Sequence, residues 1–117
     1  MAEFSGDTLT VRWEAKGGGI VVTPVGDVDL TASPVLRQAL KQVQATRPNV
    51  MVVDLTGVPY MDSSGVATLV EAMQIARKNG TRMALSGLQE KVKSIFEIAR
   101  LDTVFTIRPT ADAALSG

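Results

Sequence analysis

The chain has 117 residues, of which 45% are hydrophobic, and its twelve acidic side chains balance twelve basic ones. This size and composition predict one folded domain, and the zero net charge provides no overall positive field to attract nucleic acid or an anionic membrane. Cysteine and histidine are both absent, which excludes disulfides, thiolate metal sites, thiol nucleophiles and the most common general base.

The start of the chain lacks the basic and apolar stretches of a secretion signal. No apolar run reaches the roughly 18 residues that suggest a membrane span. We therefore expect a cytoplasmic protein without membrane insertion, and a single domain over residues 1–117 with its core at about 8–108.

The first half of the chain predicts a hairpin, a helix and a buried strand. Apolar and polar residues alternate over 9–14, and a second apolar run at 20–25 follows a glycine-rich turn, a pattern typical of two paired strands. Ser33 followed by Pro34 predicts a helix N-cap with proline at the first helical position. The apolar run at 51–55 predicts a central strand that is covered on both faces.

The second half alternates helices and strands. The sequence pattern predicts a helix around 66–76, a strand at 82–86, a helix around 92–99, a strand at 104–107 and a final helical turn at 111–115. Such alternation indicates an α/β fold with right-handed crossovers. We expect a mixed, mostly parallel sheet of about five strands with an N-terminal antiparallel hairpin, packed by three to four helices.

The loop before the second helix carries the run Asp62-Ser63-Ser64-Gly65. Partners and ligands of open α/β sheets gather at the carboxyl ends of strands, and the N–H groups at a helix start can stabilise an anion such as a phosphate on Ser63. The residue types alone favour a simpler role, in which Asp62, Ser63 or Ser64 only caps the helix. Gly65 is expected to let another backbone approach closely.

Several segments together resemble the signature of the STAS domain family, and in particular of bacterial anti-sigma factor antagonists. They are Asp54-Leu55 followed by Met61-Asp62-Ser63-Ser64-Gly65, then Val25-Gly26-Asp27-Val28-Asp29, Asn79-Gly80, residues 92–96 and Leu101-Asp102. The match runs in order and at the family's spacing over roughly residues 8–108, although Asp27 stands where the family more often has glutamate.

The resemblance implies a partner switch and not an enzyme. In such proteins the unphosphorylated antagonist binds an anti-sigma factor that is also a serine kinase, which releases a sigma factor. The kinase then phosphorylates the first serine of the Asp-Ser-Ser-Gly run, and a serine phosphatase resets the system. Carried over, the phosphorylation site is Ser63, Ser64 helps to cap the helix, and the partner-binding residues are Asp29, Met61, Asp62, Ser63, Ser64 and Gly65. No catalytic residue, metal or cofactor is expected, and the protein would be a monomer or a weak dimer.

Other functions stay open at this point. A STAS subunit of a lipid-transport or signalling complex would use the same surface without phosphorylation. An enzyme with Ser63 or Ser64 as nucleophile lacks a base and the Gly-x-Ser-x-Gly motif, and nucleotide binding lacks a Walker motif. Asp27 and Asp29 are conceivable Mg²⁺ ligands or bases, although solvated loop carboxylates are more common.

Overall fold

A computed structural model describes residues 2–117 and arranges six strands in one sheet, in the order in which they occur along the chain. The strands are β1 (Ala2–Ser5), β2 (Leu9–Lys16), β3 (Gly19–Gly26), β4 (Val50–Asp54), β5 (Arg82–Ser86) and β6 (Thr106–Arg108). The helices are α1 (Ser33–Ala45), α2 (Ser63–Asn79), α3 (Glu90–Ile98) and α4 (Ala111–Ser116), with a short 3₁₀ turn at Leu101–Thr103. Strands β1 to β3 pair antiparallel and β3 to β6 pair parallel, which confirms the mixed α/β architecture.

The sheet has one strand more than the sequence pattern indicated. Strand β1 pairs with β2 from Ala2 opposite Trp13 to Ser5 opposite Thr10. The ring of Phe4 lies 5.6 Å from that of Trp13, so aromatic packing accompanies the pairing. Four residues are too few to establish a period-two pattern by themselves, and their extended conformation depends on the neighbouring strand.

Both faces of strand β4 are buried, as its continuous apolar sequence predicted. Met51 and Val53 belong to the main core, which lies between one face of the sheet and the helices α1, α2 and α3. Val52 points to the other face, where it packs with Ala114 of α4. The Arg82 guanidinium donates hydrogen bonds to two carbonyls at the end of α4, over 2.9 and 2.8 Å, and so holds this short helix against the sheet.

The start of α1 differs from the expectation by one residue. Ala32 is the N-cap and Ser33 is the first helical residue, so the proposed capping role of Ser33 is wrong. The Ser33 hydroxyl donates instead to the Leu30 carbonyl at 3.4 Å. The Asp29 carboxylate accepts from the Ala32 N–H at 2.9 Å. The Val35 and Leu36 N–H groups, to which a cap at Ser33 would have bonded, donate to the Ala32 carbonyl at 2.9 and 3.5 Å.

Strand β6 begins two residues later than expected, because the 3₁₀ turn at Leu101–Thr103 takes up the chain before it. The predicted final helical turn is present as α4. Among the helices of residues 2–117, none is long and apolar enough to cross a bilayer.

Candidate partner-binding site at the start of helix α2

Two loops lie side by side at the carboxyl end of the parallel strands. The Val28 N–H, in the loop after β3, donates to the Tyr60 carbonyl at 3.0 Å, and the Asp62 N–H donates to the Val28 carbonyl at 3.1 Å. Val28 and Met61 therefore form a parallel bridge beyond the ends of the main strands. This pairing brings Asp29 and Asp62, which are far apart in sequence, to the same edge of the sheet.

The pairing of the two loops rests on a buried layer beneath them. Val28 and Met61 are both 0% exposed. A Cβ atom on Gly65 would lie 2.6 Å from Cγ of Met61 and 3.0 Å from the Val28 carbonyl oxygen, so the close backbone approach expected at this glycine is present. Met61 and Gly65 thus support the site from below. The expectation that Met61 lies in the contact surface is corrected, because an apolar side chain enclosed by the core has no exposed area to offer a partner.

Asp62 is the residue that caps helix α2. Its Oδ1 atom accepts hydrogen bonds from the Ser64 N–H at 2.9 Å, the Ser64 hydroxyl at 2.5 Å and the Gly65 N–H at 3.3 Å. The Ser64 hydroxyl is the main cause that lowers the pKa of Asp62 below its ordinary value, and it outweighs the opposing desolvation. Ser64 was expected to help cap the helix. Its hydroxyl instead donates a hydrogen bond to Asp62, which is the capping residue.

Ser63 and Ser64 differ sharply although they are adjacent. Ser63 is the first residue of α2 and is exposed, and its hydroxyl forms no hydrogen bond within the part of the chain that the structure describes. Ser64 is half-buried and its hydroxyl is engaged by Asp62. Of the two hydroxyl groups, that of Ser63 is therefore the accessible one.

The start of helix α2 has fewer free N–H groups to stabilise an anion than the sequence suggested. The N–H groups of Ser64 and Gly65 already donate to Asp62, so they are not available to a phosphate on Ser63. Residues 24–34 and 55–70 contain three aspartates and no lysine or arginine. A phosphate on Ser63 would therefore lie beside a carboxylate without a nearby cation from these segments.

Three large exposed apolar side chains in or next to the paired loops could not be recognised from the sequence pattern. Val25 in strand β3 is 50% exposed, and Leu30 and Tyr60 in the two paired loops are 75% and 48% exposed. We call these three residues the apolar rim. Exposed apolar groups that cluster on one edge mark interaction surfaces, and aromatic residues are enriched among the strongest contacts. They lie near the end of a strand or in a loop between a strand and a helix, where no period of apolar residues distinguishes an exposed side chain from a core one.

The acidic pair after β3 is divided between two environments. Asp27 is exposed, whereas Asp29 is half-buried and its carboxylate accepts from the Ala32 N–H. Over residues 2–117, no group of three or more His, Cys, Asp or Glu side chains that could hold a metal ion comes together. Asp29 therefore has a structural role in the turn before α1.

The fold and this edge define a small α/β binding module, with an accessible serine at a helix start, an apolar rim and an acidic loop pair. The chain belongs to the STAS domain family, whose family model matches residues 10–114. The resemblance inferred from the sequence motifs is thereby confirmed.

Several relatives that this chain resembles are named as anti-sigma factor antagonists. It is 32% identical over 83 residues to the anti-sigma-B factor antagonist of Listeria monocytogenes, which covers 71% of this chain and 73% of that protein. It is 27% identical over 107 residues to the anti-sigma-B factor antagonist of Bacillus subtilis, with 92% and 97% covered. The crystal structure of an anti-sigma factor antagonist from Mycobacterium paratuberculosis matches with a TM-score of 0.87 at 28% identity, over 96% of this chain and 95% of that one.

Proposed function

We propose that this protein is an anti-sigma factor antagonist that binds an anti-sigma factor through the edge formed by the two paired loops and the start of α2. The observation that carries the proposal is the exposed Ser63, whose hydroxyl has no hydrogen-bond partner within residues 2–117 and lies at the start of helix α2. The names of its relatives support the same class of partner. Binding would occupy the anti-sigma factor and release its sigma factor in the cytoplasm.

Phosphorylation of Ser63 would switch this binding off. A phosphoserine carries about −1.5 to −2 charges at neutral pH. At Ser63 this charge would meet the Asp62 carboxylate, and the N–H groups of Ser64 and Gly65 are already occupied. Repulsion and desolvation of roughly 3 kcal/mol at the interface would weaken binding by about a hundredfold. The domain need not refold for such a change.

The same geometry supports Ser63 as the substrate of a kinase and not as a nucleophile of this protein. A nucleophilic serine needs a base within hydrogen-bond distance. Asp62 is the nearest carboxylate in sequence, but its Oδ1 atom is bonded to Ser64, and the Ser63 hydroxyl has no partner over residues 2–117. The anti-sigma factor would itself be the serine kinase, and a separate serine phosphatase would restore the unmodified form.

A pull-down from native cells tests the class of partner. Wild-type protein should retain an anti-sigma kinase, and Ser63→Asp should lose it. Ser94→Asp is a matched control, because Ser94 is exposed on α3 and lies outside the two loops and the start of α2. A complex that survives Ser63→Asp unchanged would contradict the switch and favour a stable STAS subunit of a lipid-transport or signalling complex.

Incubation with the recovered kinase and ATP tests the acceptor. We expect one phosphate on the wild-type protein, none on Ser63→Ala and one on Ser94→Ala, as measured by mass spectrometry of the intact chain. Equal labelling of wild type and Ser63→Ala would exclude Ser63 as the acceptor.

A further inference from the structure

Asp62 distinguishes two neighbouring serines that have the same chemistry. A kinase that reaches Ser63 is one residue away from Ser64, and both hydroxyl groups lie at the start of α2. We propose that Asp62 selects the phosphorylated residue by holding the Ser64 hydroxyl, so that Ser63 alone accepts the phosphoryl group. The inference deepens the proposed function and rests on it, because it concerns the specificity of the same modification.

The contacts of Ser64 show how firmly it is held. Its N–H and its hydroxyl both donate to Oδ1 of Asp62, and its carbonyl oxygen accepts a hydrogen bond from the Thr68 hydroxyl at 2.9 Å. The side chain is also half-buried. Ser63 has none of these side-chain contacts within residues 2–117 and is exposed. The two serines thus differ in freedom before any kinase approaches.

Phosphorylation of Ser64 would need its hydroxyl group, which Asp62 holds in a hydrogen bond. In phosphorylation the serine oxygen forms a bond to the γ-phosphorus of ATP, the bond from that phosphorus to ADP breaks, and the hydroxyl proton passes to a base of the kinase. Ser64 could enter this reaction only after it gives up its hydrogen bond to a carboxylate, which belongs to the stronger class of hydrogen bonds. The free-energy cost of breaking such a bond lowers the population of reactive Ser64 by about tenfold or more.

The lowered pKa of Asp62 argues against a role as a general base that activates Ser64. An effective general base has a pKa near the working pH. The hydrogen bond from Ser64 lowers the pKa of Asp62 below its already acidic ordinary value, so the carboxylate orients the hydroxyl proton without removing it. Asp62 is therefore a positioning residue, and it acts on the choice of acceptor through Ser64.

The test uses full-length variants in a Ser63→Ala background, with the anti-sigma kinase and ATP, and locates phosphate by mass spectrometry. Ser63→Ala alone should stay unlabelled. Ser63→Ala with Asp62→Gly should gain phosphate on Ser64, at a rate at least about tenfold above that of Ser63→Ala alone, because the carboxylate that holds the hydroxyl is gone. Glycine is chosen because it is well tolerated at an N-cap. Ser63→Ala with Thr68→Val is the matched control, since it removes the hydrogen bond from the Thr68 hydroxyl to the Ser64 carbonyl and leaves the bond between Ser64 and Asp62.

The outcomes separate this inference from the proposed function. If wild type carries no phosphate on Ser63, both are overturned. If wild type is labelled on Ser63 but Ser64 stays unlabelled after Asp62→Gly, only the inference is overturned. Loss of Ser63 labelling in the single Asp62→Gly variant would also overturn it, because Asp62 would then serve the kinase and not the choice of serine. If Thr68→Val increases Ser64 labelling as much as Asp62→Gly does, the effect comes from a loosened helix start, and the inference is overturned.

The folding of the variants has its own readout. Thermal unfolding of each chain shows whether the loss of the cap has removed the native state, and binding of the unphosphorylated variant to the kinase shows that the docking edge is intact. A second variant, Asp62→Ala, removes the carboxylate with a different backbone preference and should release Ser64 in the same way. Release of Ser64 by only one of the two substitutions would contradict a role for the carboxylate.

Discussion

The carbonyl oxygen of Val28 accepts a hydrogen bond from the N–H of Asp62 at 3.1 Å, which joins the loop after β3 to the N-cap of α2. Val28 is fully buried, so this bond ties an edge of the core directly to the residue that orders the serine pair. The position of Ser63 therefore depends on two strands and one helix, and not on the loop that carries it alone.

Partner affinity should respond to charge at Ser63 more than to the loss of its hydroxyl. Ser63→Asp places a carboxylate beside Asp62, and we expect it to weaken binding to the anti-sigma kinase by about ten- to a hundredfold through like-charge repulsion. Ser63→Ala should bind within about threefold of wild type because it adds no charge, and it should leave the fold intact because the Ser63 hydroxyl makes no contact within residues 2–117. Isothermal titration calorimetry measures both. A Ser63→Ala loss as large as that of Ser63→Asp would point to the hydroxyl as a direct contact.

The apolar rim should contribute to binding without contributing to folding. Leu30→Ala and Tyr60→Ala should each raise the Kd by about ten- to thirtyfold, because buried apolar and aromatic anchors carry much of the energy of an interface. Their unfolding midpoints should change little, since Leu30 is 75% exposed and Tyr60 is 48% exposed. Ile98→Ala is the control, as Ile98 is 84% exposed on α3. An equal loss of affinity in the control would argue against a contact restricted to the rim.

Gly65→Ala should destabilise the domain although alanine is the better helix former. The added Cβ would lie 2.6 Å from Cγ of Met61 and 3.0 Å from the Val28 carbonyl oxygen. Overpacking of this kind costs about 1–3 kcal/mol, more than the roughly 1 kcal/mol gained from helix propensity. Urea unfolding measures the difference. Ala67→Gly, at an exposed position of the same helix, calibrates the propensity term. A Gly65→Ala protein more stable than wild type would contradict the close packing.

Asp62 should make stability depend on pH in the acidic range. Its pKa in the folded protein is lowered, chiefly by the Ser64 hydroxyl, so the ionised carboxylate favours the folded state. This contribution is fully present above the unfolded pKa of about 3.9 and is lost as the pH falls through the folded pKa. The free energy of unfolding of wild type minus that of Asp62→Asn should be constant from pH 7 to about 5 and should shrink below about pH 4. A difference that keeps the same value down to pH 2 would rule out a lowered pKa.

Glu71 titrates in the same range and must be separated from Asp62. Its pKa is also lowered, through a hydrogen bond from Arg37 between α1 and α2. Because the Asp62→Asn substitution leaves this ion pair in place, the difference between the two proteins cancels the Glu71 contribution. The comparison with a Glu71→Gln variant, which should retain the Asp62 dependence, checks that the two groups act independently.

The alternation of strands and helices could be predicted from local patterns, because a residue buried in a strand or on one face of a helix is apolar whatever the partner element is. The central strand β4, the left-handed Gly80 that ends α2 and the short α4 all follow from such rules. Strand β1 did not, since its four residues become a strand only by pairing with β2. The N-cap of α1 was misplaced because Asp29, four residues before Ser33, orders that turn.

The serine pair shows which features follow from the sequence and which follow from the tertiary structure. The sequence by itself determined the α/β class, the absence of cysteine and histidine chemistry, and the run Asp62-Ser63-Ser64-Gly65 with its family resemblance. The residue types alone left Asp62, Ser63 and Ser64 as candidate caps, and only the family resemblance pointed to Ser63 as the phosphate acceptor. In the tertiary structure Asp62 is the cap, which engages the Ser64 hydroxyl and leaves Ser63 exposed. Burial of Met61 and exposure of Leu30 were likewise decided by the pairing of two distant loops, which no local period of apolar residues encodes.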